Sequence, residues 1–427
     1  MFVIYSKSLS KISYTDQIDL VNGKQLIPVQ TSSLINNKVI LLPSEVIDYE
    51  SEEKLMEEIK EFIHKYLDIH SFYENVVAHY ALMTWVYDRL SVVPYLRAIG
   101  DYGTGKTRFV QTIGALCYKT MFLAGATSDA YIFRVIELFG GTLIINELER
   151  VNTDLQSQIT IILNNGYEKG MSVGRVEGEK KREPVTFNVF CPKIISTRKK
   201  FHDQALESRI ITVPMQQTKR NEIPTFISEA FWTEAQELRN KLLMYRFKHF
   251  NDYDYQELFG GENKVEKLSK LEPRLKQTLL PLFSIISDAV LEQQFIDFAL
   301  EYQGQLITDR GLEMTGLIFQ KLYELYQNNE GKVTVKEVAE EANKEIENDK
   351  FKLTSHKVGK IIREDLGLKT KKGTGGLFYV LFNEERMQYL VSRYSIESPP
   401  SPLSPPQDSG SQMDSVDSMD TDNRNTT

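Results

Sequence analysis

Cysteine is scarce in this chain. Cys117 and Cys191 are the only two among 427 residues. That is too few for a disulfide framework or a cysteine-built zinc site, and it points to a reducing, intracellular compartment. Long apolar runs are also missing. The nearest, residues 279–291, is broken by Pro281 and Asp288, well short of the roughly 18 residues a spanning helix needs. No membrane partner is expected. Lys7 and Lys11 interrupt the N-terminus before an apolar signal segment can form, so a cytoplasmic protein, nucleoid- or replicon-associated, is expected. There is no basic excess either. The net charge of −8 argues at first against nucleic acid. However, residues 397–427 hold six acids and one Arg, so −5 of the −8 belongs to that stretch. Local patches decide DNA binding, not totals.

What is present is globular. Hydrophobic residues make up 41% and charged residues 26%, and the length implies several domains. Residues 1–50 alternate short β-type runs (2–5, 39–42) with turns and carry no assignable chemistry. Residues 51–91 read as a helical flank, with Leu55, Ile59, Phe62, Ile63, Tyr66 and Leu67 on one face. Residues 92–220 alternate strands and helices, as in a parallel sheet flanked by helices. A helical lid or linker over 221–312 and a compact mixed unit over 313–396 follow. Residues 397–427, with five of the fourteen prolines, read as a disordered Ser/Pro/Asp tail.

Gly100-Asp101-Tyr102-Gly103-Thr104-Gly105-Lys106-Thr107 is a complete G-x-x-x-x-G-K-[ST] loop. The glycines let backbone N–H groups curl around a triphosphate. Lys106 can reach the β- and γ-phosphates, and Thr107 can ligate Mg²⁺. An apolar run at 92–99 precedes the loop and a helical pattern at 108–118 follows it, which aims a helix N-terminus at phosphate. The implied cofactors are ATP and Mg²⁺.

A triphosphate site also needs acidic partners at the end of a later buried strand. The run Gly-Thr-Leu-Ile-Ile-Asn146-Glu147-Leu-Glu149 has the form of a Walker B strand, with Asn146 where Asp is usual. Glu147 is the expected catalytic base. Asn146 can still accept a hydrogen bond from a metal-bound water but carries no charge. Either it slows hydrolysis and leaves binding intact, or Glu149 supplies the missing charge.

After an expected helix over 153–169, residues 171–190 read as two β arms around a charged tip, 177–183. A strand at 192–196 ends in Thr197. Ala205-Leu-Glu-Ser-Arg209 and a strand at 210–215 follow. Taken with Asn-Asn-Gly-Tyr-Glu-Lys-Gly and Phe-Asn-Val-Phe-Cys-Pro-Lys-Ile-Ile-Ser-Thr, these motifs resemble the AAA+ core of replicative helicase-like ATPases of archaea, phages and plasmids. The core is more distantly similar to minichromosome maintenance and superfamily 3 helicases. The likeness covers residues 52–216. It implies a P-loop AAA+ core; with the patterns read along the rest of the chain, the expected fold is α/β, that core with a helical N-terminal flank, a helical lid and a C-terminal winged helix. It also implies a homo-oligomeric ring, a hexamer in those relatives. In it Thr197 would sense the γ-phosphate and Arg209 would reach a neighbour's nucleotide. Lys180, Lys181 and Arg182 at the hairpin tip would grip DNA in the pore. A solvated turn, with Glu177, Glu179 and Glu183 neutralising those bases, is the plainer reading. Thr197, where the relatives often have Asn, and Asn146 are the two departures.

Residues 315–382 read as helix, short strand (333–335), helix, helix capped by Thr354, then a Gly-tipped hairpin. That is winged-helix topology. Within 354–382, Lys357, Lys360, Arg363, Lys369, Lys371 and Lys372 stand against Glu364 and Asp365, a local net of +4. A third helix in the major groove with basic wing residues on phosphates suits DNA; protein contact is the alternative. His356 alone indicates nothing.

Two functions stand out. One is a DNA-dependent ring motor, a helicase or translocase on single-stranded or forked DNA. The other is an ATP-bound DNA assembly or loader with weak hydrolysis. A transcriptional regulator leaves the pore-type hairpin without purpose, and primase chemistry has no supporting motif.

Overall fold

The computed structural model describes residues 1–28, 32–123, 128–148, 153–177, 183–201, 203–252, 266–286, 289–312, 314–328, 332–346 and 352–394. It divides into two compact units, 1–303 and 304–427.

The first unit begins with hairpins β1 (Phe2–Ser6) with β2 (Lys11–Thr15) and β3 (Ile18–Asp19) with β4 (Gln25–Leu26), then a short α1 (Ser33–Asn36). The β-type run at 39–42 does not form its own strand. Ile40 bridges Met121 singly, and Leu41 donates to the Thr120 carbonyl at 2.9 Å, so the run lies along an existing sheet edge. α2 (Glu52–Tyr66) starts at Ser51, whose hydroxyl accepts from Lys54 N–H. It buries the expected face, Leu55, Ile59, Phe62, Ile63 and Tyr66. α3 (Ser71–Thr84) is buried continuously from Val76 to Thr84, as a helix covered on all sides must be. Tyr80 on α3 donates to the carbonyls of Pro94 and Lys193 at 3.1 and 3.0 Å, which pins the helix to the central sheet.

That sheet forms from β5 (Tyr95–Ile99), α4 (Lys106–Leu116), β6 (Met121–Leu123), α5 (Asp129–Phe139), β7 (Leu143–Ile145) and α6 (Thr153–Asn165). The hairpin β8 (Ser172–Glu177) with β9 (Glu183–Asn188) comes next, followed by β10 (Lys193–Thr197), α7 (Gln204–Glu207) and β11 (Ile210–Pro214). Five strands pair in parallel in the order β11-β5-β10-β7-β6. Parallel strands are covered on both faces, so their sequences run apolar almost without alternation. Each fully buried Leu or Ile contributes about 1.5–3 kcal/mol. The expected helix over 153–169 is shorter than its sequence suggests. It stops at Asn165, and Glu168 then bridges Val92.

Downstream, α8 (Glu229–His249) packs against α2 and α4, burying Phe231, Ala235, Leu242 and Tyr245. α9 (Pro273–Ser284) packs against α3, and α10 (Ala289–Leu312) crosses into the second unit.

The second unit contains α11 (Met314–Asn328), α12 (Val335–Lys344), α13 (Ser355–Glu364), the antiparallel pair β12 (Lys369–Lys372) and β13 (Phe378–Leu381), and α14 (Glu384–Tyr394). Phe319, Val338, Val358, Ile362, Val380 and Leu390 meet in one core. The strand expected at 333–335 is a single bridge, Thr334 to Tyr379. Thr334 instead forms a capping box with Glu337 and starts α12 at Val335. Thr354 caps α13 as expected, accepting from Lys357 N–H. α14 adds a helix beyond the expected hairpin; it covers the core with Met387, Leu390 and Tyr394.

Candidate nucleotide site

The loop 100–105 leaves the C-terminal end of β5 and enters α4. Gly100 has no room for a side chain, since a Cβ there would meet the Met215 carbonyl at 2.6 Å. Gly105 caps α4 at φ +85°, a conformation that disfavours every residue with a side chain. Thr104 closes the turn through its hydroxyl to the Asp101 carbonyl, 2.8 Å. The Lys106 ammonium folds back onto the carbonyls of Gly100 (2.7 Å) and Asp101 (2.5 Å). A phosphate would exchange those bonds for charge-assisted ones. Thr107 is exposed in the first turn of α4. Asp101 and Gly103 are exposed on the loop. Tyr102 is 67% exposed, with the Arg198 guanidinium 3.8 Å from its ring.

Strand order brings the remaining groups to this edge. β10 lies between β5 and β7, so Thr197, Asn146 and Glu147 end beside the loop. Glu147 takes φ +53°, unusual for a residue with a side chain and a mark of local strain. Its N–H donates to Ser196 Oγ at 2.8 Å, and that hydroxyl donates to Asn146 Oδ1 at 2.7 Å. Thr197 is 2% exposed, and its Oγ1 has no partner among the described residues; its carbonyl accepts from Gly100 N–H at 3.3 Å.

The donors suit Mg²⁺. The Thr107 hydroxyl and the Asn146 amide oxygen are hard oxygen ligands. Mg²⁺ takes most of its shell from phosphates and water, so a dense acidic cluster is not required, and none occurs among the described residues. Held by the Thr107 hydroxyl and the Asn146 amide, such an ion would supply positive charge against the phosphates.

Arg209 lies at the far edge. It precedes β11, whose Ile210 pairs with Tyr95 at the start of β5, about 16 Å along the strand from the loop. Its Nη1 donates to the Asn164 carbonyl and Oδ1 at 3.1 and 3.0 Å. Arg209 therefore does not join its own chain's site. The α7 turn before it is locked by Glu207, which holds Arg97 of β5 in a two-pronged pair at 2.5 and 2.7 Å. Lys180, Lys181 and Arg182 lie outside the described residues. In the second unit, Lys357, Lys360 and Arg363 are exposed on α13 and Lys371 and Lys372 on β12. Lys360 stands 3.7 Å from Glu364.

Four contributors escape a reading of the sequence: Ser196, Arg97, Arg198 and Lys193. Arg97 carries a signal, a lone charge inside an apolar strand. Lys193 is wholly buried, its ammonium on the carbonyls of Gly166, Val189 and Cys191. Burial lowers its pKa, opposed by Cys191. It ties the foot of the β8–β9 hairpin to the end of α6.

A five-stranded parallel sheet flanked by helices, with a phosphate loop after one strand and a carboxylate at the end of another, is consistent with a P-loop ATPase core. No family model matches the chain, and no curated protein matches it. Among solved structures, the chain is similar to the C-terminal region of NrS-1 in its apo form, at 11% identity and a TM-score of 0.37, over 88% of this chain and 83% of that one. It is also similar to a "putative ATPase" from Cytophaga hutchinsonii, at 10% identity and a TM-score of 0.28, over 57% of this chain and 85% of that one. Likenesses this distant carry no further weight.

Proposed function

We propose that the chain is an ATP-driven AAA+ motor acting on DNA, a ring-forming helicase or translocase. The observation that carries the reading is the common edge of Lys106, Thr107, Asn146, Glu147 and Thr197, with Arg209 at the opposite edge. Lys106 and Thr107 hold the Mg-triphosphate, and Glu147 orients the attacking water. Thr197 supplies a buried hydroxyl toward the terminal phosphate. Arg209, which has no role in its own site, serves the site of the next subunit. That division of labour makes a closed ring, hexameric by resemblance, the working form. A transition-state arginine supplied in trans accelerates phosphoryl transfer about 10³–10⁵-fold. The second unit, read as a winged helix, holds DNA through Lys357, Lys360, Arg363, Lys371 and Lys372. Lys180, Lys181 and Arg182 complete the grip in the pore.

ATP turnover with and without single-stranded DNA, beside a native mass measurement, tests this. DNA-stimulated turnover that disappears in both Lys106→Ala and Arg209→Ala, on a ring-sized species, supports the motor. A monomer with Arg209-independent turnover refutes it. One observation favours a second reading, a slow ATP-bound switch: the Asn146 amide is neutral and already engaged by Ser196. Normal ATP binding with negligible turnover would select the switch.

A further inference from the structure

We propose that Phe226 is the residue on which the nucleobase stacks. The proposal rests on the nucleotide reading above and adds to it the group that receives the base. Strand order sets the direction of the nucleotide. β10 and β7 lie on one side of β5 and carry Thr197, Asn146 and Glu147, whereas β11 lies on the other. The terminal phosphate must face Glu147, so the nucleoside end leaves the loop toward β11.

The chain that continues from β11 occupies that side. Met215 donates its N–H to the Ile99 carbonyl at 2.7 Å, and its own carbonyl closes over Gly100. The strap that follows is tied down at both ends. Thr218 bonds Asp68 at 2.8 Å, and Arg220 donates to the carbonyls of His64 and Leu67 at 3.0 and 3.1 Å. Farther on, Arg108, in the first turn of α4, donates through Nη2 to the carbonyls of Pro224 (2.9 Å) and Thr225 (2.8 Å). Burial pulls the Arg108 pKa down, and its Nη1 has no partner among the described residues.

The next residue, Phe226, is 83% exposed. Its backbone is held through its two predecessors to the phosphate helix, yet its ring is left in water. An aromatic ring so placed gains by any contact that takes it out of water. A purine base laid on the ring would bury one face of each, and a strap already tied down loses little entropy on binding.

Equilibrium binding of ATP and of inorganic triphosphate to the full chain, compared across wild type, Phe226→Ala, Phe226→Trp and Lys106→Ala, tests the proposal. Phe226→Ala is expected to weaken ATP about five- to hundredfold, the range for removal of a base–aromatic stack, while triphosphate binding stays within about twofold. Phe226→Trp restores ATP affinity. The proposal is overturned if Phe226→Ala binds ATP like wild type, or if it loses ATP and triphosphate in equal proportion. The nucleotide reading itself fails on a different result: Lys106→Ala binding both ligands as tightly as wild type, which removes the base proposal with it.

Discussion

Ser196 holds Glu147 by its backbone. The Glu147 N–H donates to Ser196 Oγ at 2.8 Å while the residue sits at φ +53°, and the same hydroxyl donates to Asn146 Oδ1 at 2.7 Å. One buried hydroxyl on β10 thus orders both residues that end β7. On the proposed function Ser196 is a positioning residue, acting on the site through Glu147 and Asn146.

Ser196→Ala removes that bridge and with it the part-buried hydrogen bond that the Glu147 N–H donates, at a cost of about 1 kcal/mol. The strain at Glu147 then relaxes and the carboxylate loses its aim. Steady-state kinetics should show kcat lowered at least about tenfold with nucleotide affinity within about twofold. Ser196→Thr, which keeps the hydroxyl, should recover most of the activity. An affinity loss matching the kcat loss would mean a structural role only.

Asn146→Asp places a charge where the neutral amide now stands. Ser196 can donate to the carboxylate as it does to the amide, so thermal stability should be unchanged. ATP turnover should rise, and its dependence on Mg²⁺ should steepen. If turnover is unchanged or lower, Asn146 does not limit hydrolysis.

The Arg97–Glu207 pair tests how α7 is held. The Arg97 side chain is 1% exposed, and a buried ion stripped of its partner costs about 3–5 kcal/mol. Glu207→Ala should lower the stability read from denaturant unfolding by that amount. The double change Arg97→Met with Glu207→Leu should recover much of it. Equal destabilisation by the single and double variants would rule out the pair as the cause.

His79 makes the fold acid-sensitive. Burial pushes its pKa down to about 4, outweighing the bond to the Asn75 carbonyl, with Lys60 adding to the fall. The unfolded chain binds this proton near pH 6.5 and the folded chain only near 4. Stability is therefore complete above about pH 6.5 and declines as pH falls toward 4, by roughly 3 kcal/mol in all. Denaturant titrations across that window should show the slope, and His79→Gln should flatten it.

Charge removal on the second unit tests the DNA reading. Lys371→Ala with Lys372→Ala should weaken DNA binding and reduce the slope of log K against log salt by about one for each phosphate no longer neutralised. An unchanged slope would assign this face to protein contact.

Much of the core was legible because its signals are local. The glycine spacing at 100–105 needs particular backbone angles, apolar runs mark strands covered on both faces, and Thr354 announces α13 through its own hydroxyl. Other features were not local. The run at 333–335 looks like a strand, yet Thr334 finds Glu337 three residues on and starts a helix. α14 follows a hairpin with no glycine or proline signal to separate it. Ser196 reads as an ordinary strand residue until β7 is laid beside β10.

The sequence by itself determined the phosphate loop, the parallel α/β core and the neutral residue at 146, because each depends on residue type at short spacing. Only the tertiary structure decided which groups share an edge. The order β11-β5-β10-β7-β6 puts Glu147 and Thr197 on one side of the loop, β11 and the chain that continues from it on the other, and Arg209 at the far end. That order follows from how crossover helices pack across the sheet, a long-range choice that spacing along the chain does not carry.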